Sequence, residues 1–314
     1  MYFRCVFLLL AVAVARSAFP QNIRRITHRD GLSNSSILSL AQDADGYIWA
    51  GSCDGLNLWD GNSARNFRFS GNLIQEIVAT DDGYLWVRTN YGVDRFDTRD
   101  RRIEMLAGFQ RVYKFAARSR DEAFFLHGNK LYGYVASKGA FEPVDVRGAE
   151  LTGVLRMCLD GDGVLWLVRS GDIRCAQVAY DADGRASVGE WERMTMPDGV
   201  VFTRYDGDRT IFFTDRNGML FRFDTEQRRA FPIFDLREEL GRRGALSSVI
   251  SDKDDYVLAF GMSGVLRLRS TDPIEGRYEL QEIDVNCGVF ALLKDCNQDI
   301  VWIGTDGSGL LRQA

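Results

Sequence analysis

Groups of Asp residues recur along the chain, and carboxylates at this density could bind a divalent cation. The groups are Asp43/Asp45, Asp81/Asp82, Asp160/Asp162, Asp206/Asp208, Asp252/Asp254/Asp255 and Asp295/Asp299. A calcium loop needs six to eight oxygen ligands and usually ends in a bidentate carboxylate, which is not spaced to follow these groups. Because they recur at regular intervals, we interpret them as hairpin turns, in which Asp and Gly supply a side-chain hydrogen bond and a permissive φ.

Residues typical of catalysis are scarce. The chain has two His, His28 and His127, and it contains no GxSxG elbow, metal-ligand cluster or Gly-rich phosphate loop. A catalytic pair of carboxylates stays open as an alternative, because a fold can assemble its centre from residues distant in sequence. We predict a protein that binds and is not an enzyme, with no cofactor and no metal.

The acidic turns belong to a sequence repeat. Each copy has the Asp-rich turn, a short aromatic strand, a tight turn with Gly and a second apolar strand, as in DADGYIWAGSCDGLNLWD at 43–60. The anchor positions of the seven copies are Trp49, Trp86, Phe125, Trp166, Phe212, Leu258 and Trp302. Spacings of 37 to 46 residues suit the four strands of one propeller blade. The repeat predicts an all-β, seven-bladed β-propeller with the anchors in the core between blades.

The ends of the repeat array predict how the ring closes. The seventh copy stops at Arg312, after its third strand, whereas residues 22–27 form a strand with no hairpin partner. We expect 22–27 to be the outer strand of the seventh blade, which removes an exposed edge. Two further Trp, Trp59 and Trp191, break the repeat position and are freer to be surface contacts.

The N-terminus has the pattern of a secretory signal peptide. Arg4 precedes an apolar run from Val6 to Ala15, and Ala15 and Ser17 are small residues at the positions that a signal peptidase recognises. The run is too short to span a membrane, which takes about 20 residues. We predict a signal peptide at 1–18, a propeller at 19–314, a periplasmic location and no membrane span.

Five Cys remain after that signal, since Cys5 lies within it: Cys53, Cys158, Cys175, Cys287 and Cys296. We interpret them as small buried hydrophobic residues, and a Cys287–Cys296 or Cys158–Cys175 disulfide is the alternative.

Charge excludes one class of partner. The net charge is −5 and no basic run appears, so a nucleic-acid partner is not expected. Only five of the 39 basic residues are Lys, which reflects genome composition or else bidentate recognition of acidic or sugar ligands by Arg.

The stretch GLSNSS at 31–36, followed by SLAQDADGYIWAGSCDGLNLWDG, resembles the two-component regulator propeller repeat. GALSSV at 244–249 is similar to its start and VWIGTDGSGL at 301–310 to its end. The resemblance implies the periplasmic sensing region of a hybrid two-component sensor from a glycan-degrading Gram-negative bacterium. That family usually carries two propellers, an immunoglobulin-like domain, a membrane helix and kinase domains. We therefore expect a fragment or a free-standing relative that acts with a sensor kinase or a second propeller.

The candidate ligand site is the face that carries the turns between second and third strands, because these turns vary while the Asp-rich turns repeat. It offers Arg88, Arg169 and Arg216 as donors, Asn90 and Asn217 as amides, and Tyr91 as a stacking surface. This set suits an acidic or neutral oligosaccharide, or another small ligand. A protein-interaction scaffold and a propeller lyase or hydrolase are the alternative functions.

The signal peptide gives a first testable prediction. The exported protein should begin at Ala18 or Phe19, because cleavage follows the small residues before them. N-terminal sequencing of secreted material checks this, and a mature chain that still carries Met1 would contradict it.

Overall fold

The computed structural model describes residues 22–314, apart from 107, 108, 110, 111, 113, 197, 208, 273 and 274. The predicted signal peptide lies outside the described residues, as do residues 19–21 of the predicted propeller.

The described chain is built from short strands joined by tight turns. The first blades comprise β1 (Ile23–Ile26), β2 (Ile37–Gln42), β3 (Ile48–Ser52), β4 (Gly55–Trp59), β5 (Ala64–Phe67), β6 (Ile74–Ala79), β7 (Tyr84–Thr89), β8 (Val93–Asp97), β9 (Ile103–Glu104), β10 (Lys114–Ser119), β11 (Glu122–His127), β12 (Lys130–Val135) and β13 (Ala140–Pro143). The middle of the chain comprises β14 (Asp145–Val146), β15 (Val154–Leu159), β16 (Val164–Arg169), β17 (Asp172–Tyr180), β18 (Ala186–Val188), β19 (Glu192–Thr195), β20 (Phe202–Tyr205), β21 (Thr210–Thr214), β22 (Met219–Asp224) and β23 (Arg229–Asp235). The helix α1 (Arg237–Arg243) then precedes β24 (Leu246–Asp252), β25 (Asp255–Phe260), β26 (Val265–Asp272), β27 (Arg277–Ile283), β28 (Val289–Lys294), β29 (Val301–Thr305) and β30 (Leu310–Gln313).

These strands form seven sheets within the described residues, one for each sequence repeat, and all but one of their strand pairs are antiparallel. Six sheets have four strands, and blade 4 has six because β17 pairs with both β18 and β19 and a parallel strand, β14, joins its edge. The inner strands β2, β6, β10, β15, β20, β24 and β28 each pack against the next, and β28 returns to β2. This closed ring of inner strands confirms the predicted seven-bladed propeller and surrounds a central channel.

The hydrophobic core is divided among the interfaces between blades. Seven buried clusters each combine side chains from two neighbouring blades, such as Trp49 of blade 1 with Phe96 of blade 2. All seven anchor side chains are at most 4% exposed, which confirms that they are core residues. Burying apolar area on both faces of every sheet supplies the main stabilising free energy.

The Asp-rich turns are tied to the core by a hydrogen bond that recurs in three blades. The indole Nε1 of Trp49 donates to Asp43 Oδ2 at 2.7 Å, and the pairs Trp166–Asp160 and Trp302–Asp295 repeat it at 2.7 and 2.9 Å. The other carboxylate oxygen of each Asp accepts backbone N–H groups of the turn. Burial alone would raise the pKa of Asp295, but these hydrogen bonds lower the pKa overall. In these three blades the acidic groups therefore act as structural turns, as predicted.

The ring closes through the N-terminal strand. β1 pairs antiparallel with β30, with Ile23 opposite Gln313 and Ile26 opposite Leu310, so the seventh sheet has the order β1-β30-β29-β28. Ile26 is fully buried between blades 7 and 1. The predicted closure is confirmed.

Two expectations for Trp and Cys need correction. Trp59 is 3% exposed and packs between blades 7 and 1, because β4 buries both of its faces, so Trp59 is not a surface contact. All five described Cys are free thiols, so neither alternative disulfide forms. Only Cys158 and Cys175 are buried, and Cys296 is exposed, so the interpretation as buried hydrophobic residues holds for two of the five.

Deleting residues 22–27 should sharply lower the melting temperature or cause aggregation, because it exposes the edge of β30 and removes the buried Ile26. Thermal unfolding monitored by circular dichroism measures the effect. Arg25→Ser, in an exposed position of the same strand, is the control and should melt close to the unmodified protein. An unchanged melting curve for the deletion would show that the ring does not depend on β1.

Candidate functional site

One face of the propeller collects the turns between second and third strands and the loops between blades; we name it the turn face. Backbone hydrogen bonds join the two sets: Cys53 donates to Ser36 O, Asn90 donates to Leu73 O, and Val200 donates to Ser170 O. These bonds hold the three turns against neighbouring loops, so this part of the turn face is a rigid surface. We call the end of the channel that opens at the turn face its upper end.

Four of the six predicted site residues, Asn90 among them, are exposed on turns of this face. Tyr91 is 54% exposed, and Arg216 and Asn217 are exposed in the turn between β21 and β22. The Asn217 amide nitrogen donates to Asp215 Oδ2 at 3.4 Å, which orients the side chain. The structure places Asn90 and Tyr91 in blade 2, and Arg216 and Asn217 in blade 5.

Asn90 and Arg169 have structural contacts in addition. The Asn90 Oδ1 accepts a hydrogen bond from Leu73 N–H at 3.2 Å and so fixes the loop that leads into β6. Arg169 ends β16 and lies half-buried, with its Nε 3.9 Å from Asp172 Oδ1. Both residues lie at the turn face, but part of each side chain already contacts the protein itself.

Arg88, predicted as a donor of the turn face, lies within a strand below the turns. It is the fifth residue of β7, and its side chain is only 14% exposed. Its Nε donates to Glu76 Oε2 at 3.1 Å, and its Nη1 donates to Gln75 Oε1 at 2.6 Å and to Val112 O at 3.1 Å. The reason is register: Arg88 is directly opposite Glu76 across β6 and β7, so the two side chains share one face of the sheet.

Arg88 belongs to a group of charged side chains at the upper end of the channel, which we name the channel cluster: Glu76, Arg88, Lys114, Arg156 and Arg204. Arg156 Nη1 lies 3.1 Å from Glu76 Oε1. Since blade 3 separates their strands, this ion pair crosses the channel. At about 3.3 Å per residue, Arg88 lies roughly 7 Å below Asn90 in the turn face.

The electrostatics of the channel cluster follow from four cations and one carboxylate. Burial would raise the pKa of Glu76, but Arg156, Arg88 and Arg204 together hold this pKa below its ordinary value. Burial and the neighbouring Arg156 lower the pKa of Arg204 to about 10. Burial, Arg156 and Arg88 also lower the pKa of Lys114, against an opposing effect of Glu76. The cluster is thus a confined site with an excess of positive charge.

Backbone irregularities help to aim these side chains. The pairing register shifts between Ile74 and Glu76 in β6 and between Val154 and Arg156 in β15, and such bulges redirect the side chain beside them. Sequence reasoning missed Glu76, Lys114, Arg156 and Arg204. The available signal was a charged residue within an inner strand whose counterparts in other blades are apolar or small.

A cavity of about 310 Å³ lies between blades 4 and 5, and its lining includes Asp198 and Asp215, which accept hydrogen bonds from Arg216 and Asn217. Its lining includes Met194, Met196, Phe213, Phe221 and Phe223. The rings of Phe213 and Phe221 are stacked at 4.9 Å, so the cavity has a largely apolar wall.

Comparison with known proteins supports the sequence resemblance. Residues 31–54 match the family model described as two component regulator propeller, so the chain carries this repeat. A segment of 62 residues is 37% identical to histidine kinase P4 of Formosa agariphila and covers 20% of this chain and 4% of that protein.

Solved structures share the fold at low sequence identity. The extracellular domains of two putative hybrid two component systems from B. thetaiotaomicron superpose with TM-scores of 0.65 and 0.67 at 16% and 19% identity. They cover 94% and 93% of this chain, which spans 42% and 39% of their own lengths. A streptogramin B lyase has a TM-score of 0.69 at 12% identity, covering 94% of this chain and 97% of the lyase. The fold therefore occurs in sensors and in an enzyme. None of the helices described for this chain is long and apolar enough to cross a bilayer.

Glu76→Gln should lower the free energy of unfolding by about 3 kcal/mol, because it removes the carboxylate that pairs with Arg88 and Arg156. The pKa of Glu76 is lowered in the folded protein, so its stabilising charge is complete above its ordinary value near 4.5 and is lost as the pH falls through the lowered value. The difference between the two proteins should therefore be full at pH 7 and shrink below pH 4.5.

Urea unfolding at several pH values measures this difference, with the exposed Glu279→Gln as control. Equal stability of the Glu76→Gln variant and the unmodified protein at pH 7 would contradict the assigned role of Glu76.

Proposed function

We propose that this chain is the periplasmic ligand-binding module of a two-component sensory system and that it recognises an oligosaccharide derived from a glycan. The observation that carries the proposal is the two component regulator propeller repeat at 31–54, set in a complete ring of seven blades. The extracellular domains with the same fold agree with an exported sensor. A kinase partner and a ligand bound at the turn face are parts of the same proposal.

The exposed residues of the turn face support oligosaccharide binding. Tyr91 offers an aromatic surface in blade 2, and Arg216 offers hydrogen-bond donors in blade 5 without a described ion pair. An aromatic ring packs on the apolar face of a sugar while donors bind its hydroxyl groups, and the rigid ring keeps both groups in place. Binding of this kind needs no catalytic residue.

Docking of a partner protein, such as a second propeller, is the second candidate function. Met262 is 77% exposed and Val201 is 63% exposed, and both lie on the turn face in neighbouring blades 6 and 5. Exposed apolar side chains on a common face can contribute to an interaction surface. A site of this kind would bind a folded chain rather than a free oligosaccharide.

The Tyr91→Ala/Arg216→Ala double variant should lose most of its affinity for the oligosaccharide and keep its melting temperature, because both side chains are exposed. A thermal-shift screen of oligosaccharides first identifies the ligand, since a ligand at 100 times its Kd stabilises the folded state by about 2.7 kcal/mol. Calorimetric titration then compares the variants.

The matched control is Tyr47→Ala/Arg65→Ala, which removes an exposed Tyr at an Asp-rich turn and an exposed Arg in an outer strand. The control should bind with unchanged affinity. Full-strength binding by the Tyr91/Arg216 variant would move the site away from these residues, most directly to an interface with a second propeller.

A further inference from the structure

The channel cluster contains more positive charge than its own carboxylate neutralises. We propose that the upper end of the central channel is a binding site for an oxyanion, such as a carboxylate, sulfate or phosphate group. This site is separate from the exposed residues of the turn face and does not depend on what they bind.

The charge of the channel cluster is unbalanced. Both oxygens of Glu76 are already engaged, Oε2 by Arg88 and Oε1 by Arg156. Lys114 and Arg204 form no ion pair with any residue that the structure describes. The same carboxylate is the only acidic group described as acting on either of these two cations, and it serves both. The cluster therefore has four cations around one carboxylate, an arrangement that an anionic guest would complete.

One hydrogen-bond donor of the cluster is unused. The Nε of Arg156 is buried without a hydrogen-bond partner among the described residues. Buried donors in folded proteins almost always have partners, so this guanidinium, which reaches across the channel to Glu76, indicates a place for a guest with acceptor atoms.

The geometry of the donors explains the preference for an oxyanion. A guanidinium group presents a planar fork of N–H donors that matches the oxygens of a carboxylate, sulfate or phosphate. Arg156 and Arg204 extend from adjacent blades, and Arg156 reaches across the channel to Glu76. An anion between them would receive donors from more than one blade, and the partial burial of Arg156 strengthens that attraction because less water screens its charge.

The alternative is a purely structural network that holds blades 2, 4 and 5 together. The two interpretations differ in the expected behaviour of Arg204. In a structural network its removal lowers stability. In an anion site without anion, its removal relieves repulsion with Arg156, and the lowered pKa of Arg204 agrees with that repulsion.

The experiment is a thermal-shift titration with sodium sulfate against sodium chloride at equal ionic strength. Sulfate also stabilises proteins by exclusion from their surface, which adds a linear effect without saturation. The unmodified protein should show a saturable rise in melting temperature on top of that linear effect. Arg204→Met should lose the saturable part, keep the linear part and melt no lower than the unmodified protein in chloride. Arg65→Met, an exposed control, should behave like the unmodified protein.

Glu76→Gln gives the opposite and more selective result. It removes the competing carboxylate, so its saturable gain in sulfate should exceed that of the unmodified protein, although it melts lower in chloride. Parallel titrations with phosphate, galacturonate and uncharged galactose identify the class of oxyanion. Absence of a saturable effect with all three anions, or its survival in Arg204→Met, would overturn the anion site. If Arg204→Met does not fold, Arg204→Lys replaces it and should weaken the saturable effect at least tenfold, because an ammonium lacks the planar fork.

Discussion

A propeller is stable only when its ring of sheets is closed, and in this chain closure depends on a strand from the opposite end of the sequence. β1 supplies the outer strand of a blade whose other strands come from the last residues. Opening that contact would expose a β edge and uncover the cluster between blades 7 and 1. It would also release the inner strands from their circle. The channel, and every position in it, exists only because the two ends pair.

Within the ring, blades 1, 4 and 7 are each fixed by a hydrogen bond between the Asp-rich turn and the anchor side chain. Where Asp and Trp both occur, the indole donates to the carboxylate, and the turn is tied directly to the core. Blade 2 lacks the Asp and has Thr80 at the turn, and its Trp86 donates instead to Ser119 O of blade 3 at 2.8 Å. This substitution turns a contact within a blade into one between blades. The repeat can therefore lose its consensus residues without losing its geometry, provided that the buried indole N–H still finds an acceptor.

Much of the fold could be predicted from the sequence because its signals are local and repeated. The anchors, the Asp turns and the unpaired strand at 22–27 each follow from a pattern that recurs or from one that is missing a partner. The burial of Trp59 could not be predicted, because it depends on contacts with Ile26 and with blade 7, which is distant in sequence.

The candidate site also combines features that local sequence patterns predict with features that depend on residues distant in sequence. Exposure of Tyr91, Arg216 and Asn217 follows from their place in turns, and the repeat alone predicts it. The position of Arg88 depends on its cross-strand partner Glu76 and therefore on the register between β6 and β7. The ion pair between Glu76 and Arg156 joins residues 80 positions apart and requires the closed ring.

A second kind of repeat pattern contains that missing information. Ser39, Glu76, Arg156 and Ser248 each lie ten residues before the anchor of their own blade. The position is small and polar in blades 1 and 6 and charged in blades 2 and 4. Ser39 meets its hydrogen-bonding requirement within the protein, by donating to Ile74 O at 3.1 Å, whereas Arg156 retains a buried donor without a partner. In one blade the side chain at this position is hydrogen-bonded within the protein, and in another it retains a donor that could bind a ligand. A repeat fold can acquire a specific function at such a position. In a symmetric scaffold, the departures from symmetry at the channel are more informative about binding than the variable turns are, because solvent can satisfy an exposed turn but cannot satisfy a buried cation.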